Sequence, residues 1–299
     1  MSMVEPKLCL GTAQFGQNYG ITNQESAINE DEAYKLLQIA AKHEINHVDT
    51  ALCYGRSQEI IGNIKKDIEL HITSKIKIND GNEKVSDIRA KWDIDLNNTL
   101  ESLKINKLDT LLIHDTGDAS PEKIKAFSRW IEKQKESNRL NRAGVSIYDG
   151  KEIDRIPREL LEVVQLPMSI YDQRVIDNGT IEKLIQTGSS IQIRSIFMQG
   201  LLLQPEKRWP GWIDETTKSH HKKYVSQIES LGSSLLDQAV TFAKMQNYAE
   251  SVLIGVSTVK DFEEIIKAWQ KDIELEKVVT YETWKVKDSR IVDPRNWPK

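Results

Sequence analysis

With 299 residues, 39% hydrophobic and 29% charged, the chain has the length for one large α/β domain or two average ones and apolar content for a substantial core. A net charge of -4 and a pI near 6.0 give no basic field for nucleic acid or an anionic membrane surface. No apolar run approaches the roughly 20 residues of a membrane helix. No secretory signal opens the chain and the two cysteines, Cys9 and Cys53, form no disulfide framework, so a cytoplasmic location is expected.

In chain order, apolar runs of strand length alternate with longer amphipathic stretches. Residues 7–10 read as the first strand, followed by a helix near 30–43. Strands at 46–49, 70–74 and 108–114 are followed by helices near 57–64, 86–103 and 120–136. Ser120-Pro121 supplies a cap and a proline at the first helical position. Strands at 142–146, 163–166, 191–196 and 251–256 alternate with helices near 151–156, 180–187, 218–246 and 260–270. Such alternation demands a parallel sheet, and eight strands with eight helical segments predict a closed (β/α)8 TIM barrel rather than an open doubly wound sheet. No repeat, low-complexity tract or linker divides the chain, so one domain over 1–299 is expected. Its irregular parts are a loop at about 203–217 and a tail from about 271.

Four polar residues stand at or just past the ends of apolar runs. Asp49 closes Asn46-His47-Val48-Asp49, with Tyr54 in the next turn; Lys75 closes Leu70-His71-Ile72-Thr73-Ser74-Lys75, and His114 closes Leu111-Leu112-Ile113-His114. On neighbouring parallel strands these side chains gather at one rim. A phenol is a poor acid at neutral pH, but a neighbouring ammonium stabilises the tyrosinate and sharpens the donor. Lys75 supplies that charge, Asp49 holds the lysine, and His114 donates to a substrate oxygen. The set lacks a hydride, which a nicotinamide must bring. Singly, each residue has a plainer reading: a structural histidine, an aromatic plug, a turn cap, a solvated charge. Their joint placement points to carbonyl chemistry.

Rival motifs are missing. No G-x-G-x-x-G follows the first strand, and Gly11-Thr12-Ala13-Gln14-Phe15-Gly16 is continued by Gln17-Asn18, not by the Lys-Ser/Thr of a P-loop. His43 and His47 lack a third ligand nearby, zinc spacing is absent and no metal is expected. No G-x-S-x-G elbow supports a serine hydrolase.

Over nearly its whole length the chain resembles the aldo-keto reductases. Val48-Asp49-Thr50-Ala51-Leu52-Cys53-Tyr54-Gly55 is similar to the family's D-T-A-x-x-Y-G block, and Asn98 to Leu103 with Leu108 to His114 resembles the helix and strand that deliver its histidine. The resemblance implies a catalytic tetrad of Asp49, Tyr54, Lys75 and His114, with Tyr54 the general acid. It also implies cofactor contacts at Gly11, Thr12, Asp49, Ser146, Gln165, Arg194, Ser195, Gln199, Leu201, Gly255, Ser257, Thr258, Lys260 and Glu264. Arg194 stands where the family commonly stacks a tyrosine on the nicotinamide, and a guanidinium can also lie flat on a π-system. The stretch Ser257 to Glu264 carries one lysine and no arginine, so NADP(H) is expected by family habit, with NAD(H) as the alternative. Phe15, Tyr19, Trp209 and Trp212 are candidate walls of the substrate pocket. Gln14-Phe15-Gly16 with Tyr19 to Asn23 resembles a bacterial branch linked to sugar modification, which implies a keto-sugar. Two other readings stay open: a nicotinamide-binding redox sensor with little turnover, and a lyase or isomerase using Lys75 as a Schiff base.

Overall fold

The structure, a computed structural model, describes residues 5–17, 27–78, 84–117 and 119–298. The strands are β1 (Lys7–Gly11), β2 (His47–Asp49), β3 (His71–Ile76), β4 (Leu108–Ile113), β5 (Leu140–Ser146), β6 (Val163–Pro167), β7 (Ser190–Arg194) and β8 (Ala249–Gly255). They pair in parallel in sequence order, and β1 closes the barrel against β8 from Lys7 opposite Ser251 to Gly11 opposite Gly255. Strands covered on both faces need apolar residues at successive positions, as in Leu111, Leu112 and Ile113, all fully buried.

The surrounding helices bury one stripe each. In Glu30–Lys42 the buried residues are Ala33, Leu36, Leu37 and Ala40, the spacing of a single helix face. Asn29, Ser120, Asp214, Ser234 and Thr258 each accept a first-turn N–H from their side chains, so these helices start where capping residues stand. Among the described residues, no helix is long and apolar enough to cross a membrane.

Three local expectations are corrected. The helix expected at 218–246 is two helices, Glu215–Ser230 and Leu235–Lys244, because Gly232 turns left-handed (φ 64°) and Ser234 caps the second. The segment expected at 151–156 is a 3-10 turn, Lys151–Arg155, too short for an α-helical crossover. The seventh strand stops at Arg194 rather than 196, since Ser195 adopts φ 64° and turns the chain across the barrel mouth. All eight strand ends face that mouth, which therefore collects residues from every βα segment.

Candidate active site

Asp49, the last residue of β2, and Lys75, near the end of β3, are both buried and form an ion pair through Lys75 Nζ and Asp49 Oδ1. Lys75 Nζ also donates to the Thr50 carbonyl at 3.1 Å, and Asp49 Oδ2 accepts from Gln165 Nε2 at 2.8 Å. A buried pair of this kind persists only when its remaining valences are met, and here the Thr50 carbonyl and Gln165 meet them. The same ammonium stands 5.2 Å from the centre of the Tyr54 ring. Tyr54 in turn meets His114 edge to face, with centroids 5.8 Å apart and planes at 84°. The four residues therefore lie together on one wall of the barrel mouth.

Main-chain contacts fix Tyr54. Its N–H bonds the Ala51 carbonyl at 3.0 Å, and its own carbonyl accepts from Ser57 N at 3.1 Å. Ser57 Oγ reaches Thr12 Oγ1 and Thr50 Oγ1, tying this turn to β1 and β2. The turn is packed so closely that a Cβ on Gly16 would lie 1.6 Å from the Tyr54 carbonyl oxygen. Gly55, at φ 56°, would place its Cβ 2.3 Å from Gly16 O. Both glycines are required by contact rather than by composition.

His114 follows β4 and keeps the ladder through its N–H to Ile76 O at 2.9 Å. Burial, then Lys75, Arg194 and Lys77, pushes its imidazole down to about 3, so the ring is neutral near pH 7. Its Nδ1 lies 3.2 Å from Cys53 Sγ. The Cys53 thiol is pushed up, chiefly by desolvation, and stays protonated. Cys53 itself is exposed, because the turn that carries Tyr54 lifts it onto the rim.

A cleft of about 970 Å³ runs from this wall across the mouth to β8. Of the residues expected to hold a cofactor, Gly11, Thr12, Asp49, Gln165, Arg194, Ser195, Gln199, Gly255, Ser257, Thr258 and Glu264 line it. A nicotinamide fits these residues. Gln165 Oε1 is buried without a partner beside the cleft, an acceptor suited to a carboxamide N–H₂. A Cβ at Gly11 would come within 3.1 Å of Ile254 O, so the lining backbone is bare there. The helix Val259–Gln270 presents its N-terminus through Ser257 and Thr258, where backbone N–H groups favour an anion.

Other expected residues lie outside the cleft lining or are held by protein partners. Ser146 is buried opposite Gln165 in the ladder and does not line the cleft. The Leu201 side chain is buried outside the lining, and its carbonyl accepts from Trp209 Nε1 at 2.9 Å. Lys260 points outward, 83% exposed, with Nζ 3.8 Å from Glu264. Arg194 stacks on a protein ring, Tyr148, at 4.7 Å. Phe15 belongs to the hydrophobic core, and Trp209 is a buried loop pin against His221 at 4.3 Å. Trp212 packs on Trp297 at 5.8 Å, away from the cleft. Each large ring finds more apolar contact inward than a polar cleft offers. Tyr19 lies outside the described residues.

Sequence reasoning missed Gln14, Gln204 and Arg208, which also line the cleft, and the contact of Cys53 with His114. Gln14, a buried glutamine just beyond a strand end, carried a usable signal; Arg208, inside an irregular loop, carried none.

The sequence pattern of the aldo/keto reductase family matches residues 7–282. The chain belongs to that family. Membership makes it an oxidoreductase of carbonyl chemistry that works with a nicotinamide cofactor. No curated protein matches it in sequence. Among solved structures it is similar to the glycerol dehydrogenase AKR11B4 from Gluconobacter oxydans, at 18% identity and TM-score 0.71, covering 98% of this chain and 97% of that one. It is also similar to the holo form of the aldo-keto reductase AKR11C1 from Bacillus halodurans, at 18% identity and TM-score 0.70, covering 93% and 90%. At such identity these likenesses speak for the fold.

Proposed function

We propose that the chain reduces an aldehyde or ketone to an alcohol, with Tyr54 as proton donor and His114 as the hydrogen bond that orients the carbonyl oxygen. A reduced nicotinamide, when bound, supplies the hydride that no side chain can. The observation that carries this reading is one buried ammonium, Lys75, shared between the Asp49 carboxylate and the Tyr54 ring. Asp49 holds the lysine in place, and the ammonium charge stabilises the phenolate that forms as Tyr54 gives up its proton. His114 is neutral, and a protonated Cys53 thiol donating to Nδ1 leaves Nε2 to carry the ring hydrogen. That tautomer can donate to a carbonyl oxygen without competing for the proton.

The buried lysine–aspartate pair also argues against a neutral amine ready for Schiff-base chemistry. Family habit favours NADP(H), whereas the charge of the cleft favours NAD(H). Asp261 and Glu264 line the end near the helix N-terminus, and Lys260 does not. Two carboxylates there repel a 2′-phosphate and accept from a ribose hydroxyl. Separate dissociation constants for NADH and NADPH, from fluorescence titration, decide between them. A keto-sugar is the substrate class the sequence resemblance supports.

Tyr54→Phe tests the assignment. Turnover falls by about 10²- to 10⁴-fold while cofactor binding persists. Turnover within a few-fold of the parent would overturn the proposal.

A further inference from the structure

Three arginines cluster where β5, β6 and β7 meet the C-terminal tail, and two carboxylates answer two of them. Arg174 pairs with Asp172 at 2.7 Å and with Asp293 at 3.2 Å, and Arg295 pairs with Asp293 at 2.7 Å. Arg194 has no carboxylate within ion-pair distance among the described residues. Its Nη2 donates to the Ile147 carbonyl at 3.0 Å, its Nη1 to Ser195 Oγ at 3.3 Å, and its Cζ lies 4.7 Å from the centre of the Tyr148 ring. These neighbours hold the guanidinium still without neutralising it. The unanswered charge is also the one that borders the cleft, in the same cavity as Tyr54. At that end Asp49 is already matched by Lys75, so Arg194 sets the sign of the local field. His114 is held neutral by burial first, then by Lys75, with Arg194 adding to both.

We propose that Arg194 anchors an anionic oxygen group, a carboxylate or a phosphate, carried by the carbonyl substrate that sits over Tyr54. A half-buried, preorganised guanidinium with N–H donors to spare suits such a group and loses little side-chain entropy on binding it. The inference rests on the carbonyl-reduction reading and narrows it: the substrate is an acidic or phosphorylated carbonyl compound rather than a neutral one.

Two aldehydes of similar shape, 4-carboxybenzaldehyde and 4-methylbenzaldehyde, test it as substrates of the wild type, Arg194→Lys and Arg194→Met. Calorimetry with the unreactive dicarboxylate terephthalate, at saturating reduced cofactor, reads anion binding apart from turnover. In the wild type kcat/KM favours the carboxylated aldehyde by about 10- to 100-fold, and the preference weakens as salt is raised. Arg194→Lys keeps part of that preference, and in Arg194→Met the ratio falls to about one as terephthalate binding weakens by about tenfold or more. Equal use of both aldehydes by the wild type overturns the inference, and so does a preference that survives Arg194→Met. A cofactor dissociation constant raised about tenfold in Arg194→Met with the substrate preference intact also overturns it, by assigning the guanidinium to the cofactor's phosphates. Arg194-dependent terephthalate binding with neither aldehyde reduced supports the anion site and counts instead against the carbonyl-reduction reading.

Discussion

On the β2–β4 side of the cleft, Asp49 and Lys75 belong to strands, while Tyr54 and His114 follow within a turn, so the barrel ladder sets their places. On the opposite side the lining from Ser195 to Arg208 is a loop held by a few side-chain pins. Ser195, Met198 and Gln199 take positive φ there, at 64°, 48° and 54°, a conformation that costs energy outside glycine. Three contacts hold it: Trp209 Nε1 to Leu201 O, His221 Nε2 to Gln204 O at 2.8 Å, and Tyr171 hydroxyl to His221 Nδ1 at 2.7 Å. The difference teaches where each demand is met. The proposed proton transfer tolerates little displacement and would sit on the ladder, whereas binding can use an adaptable wall whose integrity depends on buried, titratable pins.

The comparison breaks most sharply at Lys75. Lys75→Met leaves Asp49 buried without its cation, so stability drops by about 3–5 kcal/mol in urea unfolding and turnover collapses. A loss below about 1 kcal/mol would show that the pair contributes little to the fold of the rigid wall.

Gly16→Ala should come next, because its new Cβ cannot coexist with the Tyr54 carbonyl. A displacement of the turn by about 1 Å lowers kcat about 100-fold, with cofactor titration separating that loss from weakened binding. Normal kcat would mean the turn is softer than its contacts indicate.

The loop wall is tested by pH. Burial lowers His221 to about 4, so the unfolded chain binds a proton there more readily than the folded one. Stability from this residue is therefore full above its ordinary pKa near 6.5 and declines as pH falls towards about 4. Between pH 7 and 5 that amounts to about 2 kcal/mol, which His221→Gln should remove from the pH dependence of the unfolding midpoint. An unchanged slope would place the acid sensitivity elsewhere.

The smallest effect is at Cys53. Cys53→Ala removes one neutral hydrogen bond to His114 and should lower kcat about fivefold, with Cys53→Ser restoring most of it. Equal loss in both variants would point to packing rather than to the imidazole's tautomer.

Much of the rigid wall was legible in the sequence, since apolar runs of strand length place the residue that follows them at a rim whatever the rest of the chain does. Asp49, Lys75 and His114 were found that way, and so was the barrel. On the opposite wall Ser195 and Gln199 were expected from the family resemblance, and the rest was legible only as loop. Trp209 and Phe15 suggested a pocket by residue type, yet both are buried, because nothing local distinguishes an aromatic that lines a cleft from one that pins a segment. Lys260 and Glu264, four apart on one helix, had the spacing of partners, but only the structure shows which of them faces the cleft.

Sequence by itself determined the strand order, the Ser120 cap and the identity of the four rim residues, because periodicity and strand ends are properties of short stretches. Tertiary structure alone decided which charges are answered. Arg174 and Arg295 found carboxylates from distant segments and Arg194 did not, an outcome set by closure of the barrel and docking of the tail.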